Sequence, residues 1–296
     1  MKFPENVIIR DVTLRDGLQN EKAFMETEEK IKNLKKLILA GFNRIEVTSF
    51  VHPKWVPALS DADELAQQLP FQQGIEFDAL VPNQRGLDRF LNTKIHNAVF
   101  FLSASNAHNK SNLNRSTDET LTEIEALIEQ NNKAGRKSIG GIATAFVCPF
   151  DGTVPYSEVE KIAERLVNCG VSELGVGDTI GKATPRQIYE YCARLSDRFP
   201  DMPLSLHLHD TYGYGLANVL AGLQAGIQVI DVAQAGLGGC PYAPGAPGNI
   251  EGSKVVDFLE KQNINTGLDL QALKELDGGF NQFLLRKESS KVSSGE

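Results

Sequence analysis

Cysteine is scarce and scattered. Cys148, Cys169, Cys192 and Cys240 are the four in 296 residues, and no two form a C-x-x-C pair. That argues against a disulfide framework and a zinc cluster, and fits a reducing cytoplasm. Positive charge is also short. Thirty Lys and Arg stand against 38 Asp and Glu, a formal net charge of −8, with no basic block. The footprint of a nucleic-acid binder is missing, so an anionic substrate must be met by a few placed cations. No apolar run approaches the ~18 residues that span a bilayer. The opening Met-Lys-Phe-Pro-Glu-Asn has no apolar stretch, so neither a membrane partner nor a signal peptide is expected. Internal repeats are absent as well. Apolar residues still make up 41% of the chain, enough to bury a core without staples.

What the chain does have is alternation. Short β-branched runs fall at Val7–Val12, Arg44–Thr48, Phe77–Val81, Ala98–Leu102, Gly140–Phe146, Glu173–Gly177, Leu204–His209 and Val229–Ala233. Helical patterns separate them, at Glu28–Ala40, Asp61–Gln68, Arg85–Leu91, Asp118–Ala134, Ser157–Cys169, Pro185–Asp197, Leu216–Ala225 and Ser253–Lys261. Eight strand–helix units with no break in composition predict an α/β fold, a (β/α)8 TIM barrel spanning residues 1–296 as one domain. Thr27 reads as a cap before Glu28 and Glu29, Gly41 as a helix end, and Pro185 as a first-turn proline. A further helix, Leu268–Leu285, lies within a C-terminal segment 265–296, whose serine-rich basic end is expected to move unless a ligand holds it.

Barrel enzymes place their chemistry at the C-terminal strand ends. Ionisable residues gather there: Arg15 and Asp16 after the first strand, Glu46 on the second, Asp178 on the sixth, His207 and His209 on the seventh. His207 and His209 are two apart on a strand, so both imidazoles face inward. Two hydrogen-bonded core histidines are the competing reading. With Asp16 beside them the pattern favours a metal site. Imidazole plus carboxylate and amide oxygens suits a six-coordinate Mg2+ or Mn2+ over tetrahedral zinc. Arg15 is always protonated and suits a developing oxyanion. Glu46, set among apolar neighbours, needs a partner, and Arg15 is the candidate. Residues 236–248 hold five glycines and three prolines around Cys240, with no Walker lysine. That segment reads as a shaped lid carrying an acid/base thiol. Cys169 and Cys192 sit in helical patterns and read as core.

These stretches resemble the 3-hydroxy-3-methylglutaryl-CoA lyase family, part of the metal-dependent TIM-barrel lyase and synthase superfamily. The matching segments are RDGLQNE (Arg15–Glu21), IEVTSFVHPKWVPA (Ile45–Ala58), VPNQRG (Val81–Gly86), LGVGDTIG (Leu174–Gly181), HLHDTYG (His207–Gly213) and GLGGCPYAPG (Gly236–Gly245). The resemblance implies a metal on Asp16, His207, His209 and Asn249. It implies catalytic duty for Arg15, Cys240 and His207, support from Glu46 and Asp178, and substrate contacts from Gln19 and Ser49. It further implies a homodimer acting on an acyl-CoA. Arg286, Lys287 and Lys291 would meet CoA phosphates. Two positions depart from the lyase pattern: Thr13-Leu14 stands where Gly-Pro is usual, and Ser253 stands where an acid is usual. The rival readings are a lyase for a related 3-hydroxyacyl-CoA, a synthase condensing acetyl-CoA, and an inactive barrel that binds a CoA ester.

Overall fold

A computed structural model describes residues 3–21, 23–238 and 248–292, with side chains as far as Leu285. Eight parallel strands close into a barrel: β1 (Ile8–Asp11), β2 (Arg44–Ser49), β3 (Glu76–Leu80), β4 (Asn97–Ser103), β5 (Lys137–Ala143), β6 (Glu173–Asp178), β7 (Leu204–Leu208) and β8 (Val229–Val232). Each pairs with its sequence neighbours, and β8 pairs back onto β1. Closure leaves no unpaired barrel edge. The expected (β/α)8 architecture is therefore present.

Helices pack around the barrel through their apolar stripes: α1 (Thr27–Leu39), α2 (Ala62–Gln68), α3 (Gln84–Leu91), α4 (Asn106–Leu113), α5 (Thr117–Lys133), α6 (Tyr156–Asn168), α7 (Pro185–Arg198), α8 (Gly215–Gln224), α9 (Gly252–Lys261) and α10 (Leu270–Val292). On α1 the buried residues Ile31 and Leu34 follow helical spacing. Gly41, at φ 103°, ends it as expected, and Pro185 opens α7 behind a Thr184 cap.

Four local expectations need correction. Thr27 does not cap α1: Glu26 holds that position, and the Thr27 hydroxyl donates to Asp61 at 2.9 Å. Strand β5 begins three residues earlier than expected, because Lys137 and Ser138 pair with Asn97 and Ala98. It stops before Thr144, whose φ of 49° breaks the ladder. Helix α4 has no apolar period to announce it, and its start is set by the Ser105 hydroxyl accepting from the His108 N–H. The last helix runs on to Val292, through residues expected to be a tail.

Glycine hollows the barrel. Gly141 on β5 and Gly175 and Gly177 on β6 present no side chains, and they line a cavity of about 280 Å³ that opens among the site residues. A Cβ at Gly175 would meet Ser205 Oγ at 3.0 Å. The interior is thus only partly filled by side chains, unlike the layered packing usual in such barrels.

Candidate active site

The turn after β1 carries the first two site residues. Thr13–Gly17 forms a single π-helical turn, in which the Val12 carbonyl accepts from the N–H groups of Arg15, Asp16 and Gly17 at 3.2, 2.8 and 3.1 Å. Such turns often mark functional positions. Here the turn aims Arg15 and Asp16 into the mouth. Arg15 Nη1 lies 2.5 Å from Asp16 Oδ1, and its Nη2 lies 2.7 Å from Glu46 Oε2 on β2. The interior ion pair expected for Glu46 is formed. Burial raises the Glu46 carboxyl despite Arg15, while Arg15 itself is held above its ordinary range, burial being outweighed by Glu46 and Asp16.

The two histidines enter from β7 and its end. Both line the cavity, and one ligand atom from each can lie within 4.8 Å of the other and of an Asp16 oxygen. His207 Nε2 is 3.8 Å from Asp16 Oδ2. His209 is buried, with Nδ1 free of any hydrogen bond. Burial, then the charge of His207, pushes its pKa down to about 4, which keeps the imidazole neutral. Burial alone would raise the Asp16 carboxyl, yet the charges of Arg15 and His207 hold it well below the usual carboxylate range. Asn249 reaches the same place because its backbone bridges His209 and its Nδ2 donates to Asp16 Oδ2 at 2.7 Å.

This donor set fits a divalent cation. An ionised carboxylate and two imidazoles converge, and one buried ring nitrogen has no partner. Around the mouth and floor, Arg10, Arg15 and Arg44 pair with Asp16, Glu46, Asp78, Glu173 and Asp231.

A family model described as HMGL-like matches residues 6–278. The chain belongs to the HMGL-like family. It is 44% identical over 273 residues to hydroxymethylglutaryl-CoA lyase YngG of Bacillus subtilis, covering 92% of this chain and 91% of the relative. It is 39% identical over 291 residues to the human mitochondrial hydroxymethylglutaryl-CoA lyase, covering 98% and 90%. The crystal structure of the B. subtilis HMG-CoA lyase superposes with a TM-score of 0.92 at 42% identity over 95% of each chain. An HMG-CoA lyase from Acinetobacter baumannii, solved in complex with coenzyme A and 3-methylmalate, superposes with a TM-score of 0.88 at 35% identity, covering 94% of this chain and 90% of that one.

The other expected site residues of this HMGL-like barrel divide. Gln19 lines the cavity. Ser49 is buried and accepts the Val51 N–H at 3.2 Å, a local turn contact outside the cavity wall. Asp178 also turns away, since its oxygens accept from the N–H groups of Lys182 and Ala183 at 3.1 and 3.0 Å. Burial still raises its pKa to about 6. Its neighbours Gly177 and Thr179 line the cavity instead. Cys240 and most of segment 236–248 lie outside the described residues, as do the side chains of Arg286, Lys287 and Lys291. Cys192 is buried in the core as expected, its thiol pushed up to about 12 by burial.

The two positions that depart from the lyase pattern both have contacts. Buried Thr13 donates to Asp11 at 2.8 Å and accepts from the Gln234 N–H at 2.8 Å. Ser253 donates to Glu251 at 3.1 Å, so an acidic group stands two residues away.

Sequence reading missed the floor. Arg10 Nη1 lies 2.8 Å from Glu173 Oε1, and Arg10 Nη2 lies 2.8 Å from Asp231 Oδ1. Asp231 Oδ2 in turn meets His207 Nδ1 at 3.1 Å. The available signal was a charged residue interrupting the apolar strands Ile8–Asp11 and Val229–Val232. His108 and Asn112, also on the cavity wall, come from the unannounced α4.

Proposed function

We propose that this HMGL-like chain cleaves 3-hydroxy-3-methylglutaryl-CoA to acetyl-CoA and acetoacetate, with Mg2+ or Mn2+ held by Asp16, His207, His209 and Asn249. One observation carries the reading: Asp16, His207 and His209 converge at the open mouth of a hollow barrel, with Arg15 beside them. Relatives that cover the chain almost end to end bear the lyase name, and one solved relative holds coenzyme A.

Bound there, the cation supplies Lewis acidity, lowering the pKa of the tertiary hydroxyl and orienting it. The remaining duties fall to side chains. Both Asp178 oxygens are engaged by backbone N–H groups and Arg15 holds Glu46 Oε2, but Glu46 Oε1, at the cavity wall, has no hydrogen-bond partner. With the cation on His207, Glu46 Oε1 is the base that accepts the hydroxyl proton; were His207 not a ligand, its Nε2 would take that duty. One atom cannot hold a cation and a proton together, so His207 serves one duty at a time. The carbon–carbon bond next to the alcohol carbon breaks, the alcohol becomes a ketone, and the electron pair enters a thioester enolate. Arg15 offsets that charge. Cys240 delivers a proton to the enolate carbon, releasing acetyl-CoA.

We place residues 1–296 in one lyase domain, with Cys240 on loop 236–248 and segment 265–296 appended. No helix among the described residues is long and apolar enough to cross a membrane. A cytoplasmic homodimer is the assembly this reading favours.

The test is acetyl-CoA release from 3-hydroxy-3-methylglutaryl-CoA with and without chelator. Release that chelator abolishes and Mn2+ restores supports the reading. No release with the metal present overturns it.

A further inference from the structure

Arg10, Asp231 and His207 are direct register partners on three adjacent strands, β1, β8 and β7. They form one rung of the barrel, and the next residue round that rung is Gly177 on β6. The flanks of His207 therefore differ. Toward β6 there is no side chain at all, and even a Cβ built at Gly177 would find its nearest neighbour 3.7 Å away. Toward β8, Asp231 Oδ2 stands 3.1 Å from His207 Nδ1. The other oxygen, Oδ1, accepts from Arg10 Nε at 2.8 Å and also lies 2.8 Å from Arg10 Nη2. Arg10 is itself fixed by Glu173.

We propose that Asp231 is the positioning residue for His207, with Arg10 acting through it. A carboxylate offers no proton here, so the proton of the neutral imidazole sits on Nδ1 and points at Asp231. Nε2 is left with its lone pair aimed at the mouth, where Asp16 lies 3.8 Å away. That lone pair is what either duty of His207 requires, accepting a proton or holding a cation. The inference rests on the reading of His207 as a working residue of the site.

The geometry makes Asp231→Asn a sharp test. Arg10 has only donors, so the amide must turn its oxygen toward Arg10. Its NH2 group then faces His207 Nδ1 and donates to it. The imidazole proton is driven to Nε2, and the lone pair leaves the mouth.

The experiment compares wild-type and Asp231→Asn protein, 15N-labelled at histidine and freed of metal. Long-range proton–nitrogen spectra at pH about 9, with His207 assigned from His207→Gln, read the tautomer. Wild type should carry the proton on Nδ1 and the variant on Nε2. Mn2+ binding, read from free Mn2+ by electron paramagnetic resonance, should weaken about 10- to 100-fold if Nε2 is a ligand. If Nε2 is instead the base, kcat at saturating Mn2+ should fall with KM little changed. Asp231→Ala, which removes the acceptor without offering a donor, should give a mixture of tautomers. An unchanged tautomer in Asp231→Asn, with wild-type Mn2+ affinity and kcat, overturns the proposal. The tautomer readout stands even if the protein proves inactive on 3-hydroxy-3-methylglutaryl-CoA, so the two readings fail separately.

Discussion

Asn249 Nδ2 lies 2.7 Å from Asp16 Oδ2, although 233 positions separate the two residues. The same amide nitrogen donates to the Leu237 carbonyl at 2.9 Å. One side chain thus ties the segment after β8 to the π-helical turn after β1. Removing it should loosen the mouth before it loosens the fold. Asn249→Ala should weaken Mn2+ binding while the unfolding midpoint shifts little. His209→Ala should weaken Mg2+ and Mn2+ activation as well. Calorimetric titration of metal-free protein reads both, and unchanged affinity in His209→Ala would leave that imidazole a structural role only.

Arg15 sits between Asp16 and Glu46 at 2.5 and 2.7 Å, so its guanidinium is fixed before substrate arrives. Preorganised charge of this kind acts on the transition state. Arg15→Met should lower kcat by about 10²- to 10³-fold, with a smaller effect on KM. Steady-state kinetics at saturating metal make the comparison. A change confined to KM would reassign Arg15 to substrate binding.

Cys240→Ala should retain metal binding and lose most turnover, because the thiol is assigned the final proton transfer. Near-normal turnover would remove the thiol from the mechanism.

Asp11 lies below the turn, fully buried, where it accepts from Thr13 and Gln234. Burial raises its pKa to about 6 against those hydrogen bonds, whereas an unfolded aspartate titrates near about 4. The folded state binds this proton more tightly. The stabilisation is present below about pH 4 and is lost as pH rises through about 6. Asp11→Asn abolishes that titration. Between about pH 4.5 and 7.5, wild type should lose stability relative to the variant. Urea unfolding of metal-free protein measures it, and parallel pH profiles would refute the assignment.

Lys30 is a fully buried ammonium on α1, held by Asp61 at 2.6 Å and the Ala58 carbonyl at 2.8 Å. Burial lowers its pKa despite Asp61. Asp61→Ala leaves that charge without its counterion and should destabilise by about 3–5 kcal/mol. Lys30→Met, which buries no unpaired charge, should cost less. Denaturant midpoints of the two variants give the order, and the reverse order would show that packing, not charge, governs this site.

Much of this was legible in the chain. Strand positions followed from short β-branched runs, because a barrel strand covered by a helix must be apolar on its outer face. His207 and His209 were legible because a period of two places both rings on one side whatever the rest of the fold does. Arg15 and Asp16 were legible because Arg-Asp-Gly directly follows a strand. Helix α4 was not, since Asn106–Leu113 carries no apolar stripe and begins on a single capping hydroxyl. The turn of Asp178 away from the cavity and onto its own loop was hidden as well, because only the path of that loop shows which N–H groups surround it.

The amino-acid order by itself determined the number of strand–helix units, the direction of each strand and which residues stand at its C-terminal end, all of which are local and periodic properties. The partners of those residues across the barrel were decided only in three dimensions. Closure pairs β8 with β1 and sets Arg10 beside Asp231, the β8–β7 register sets Asp231 beside His207, and the segment after β8 brings Asn249 against Asp16. Ring closure and strand register arise from the whole sheet at once, so no stretch of sequence encodes them alone.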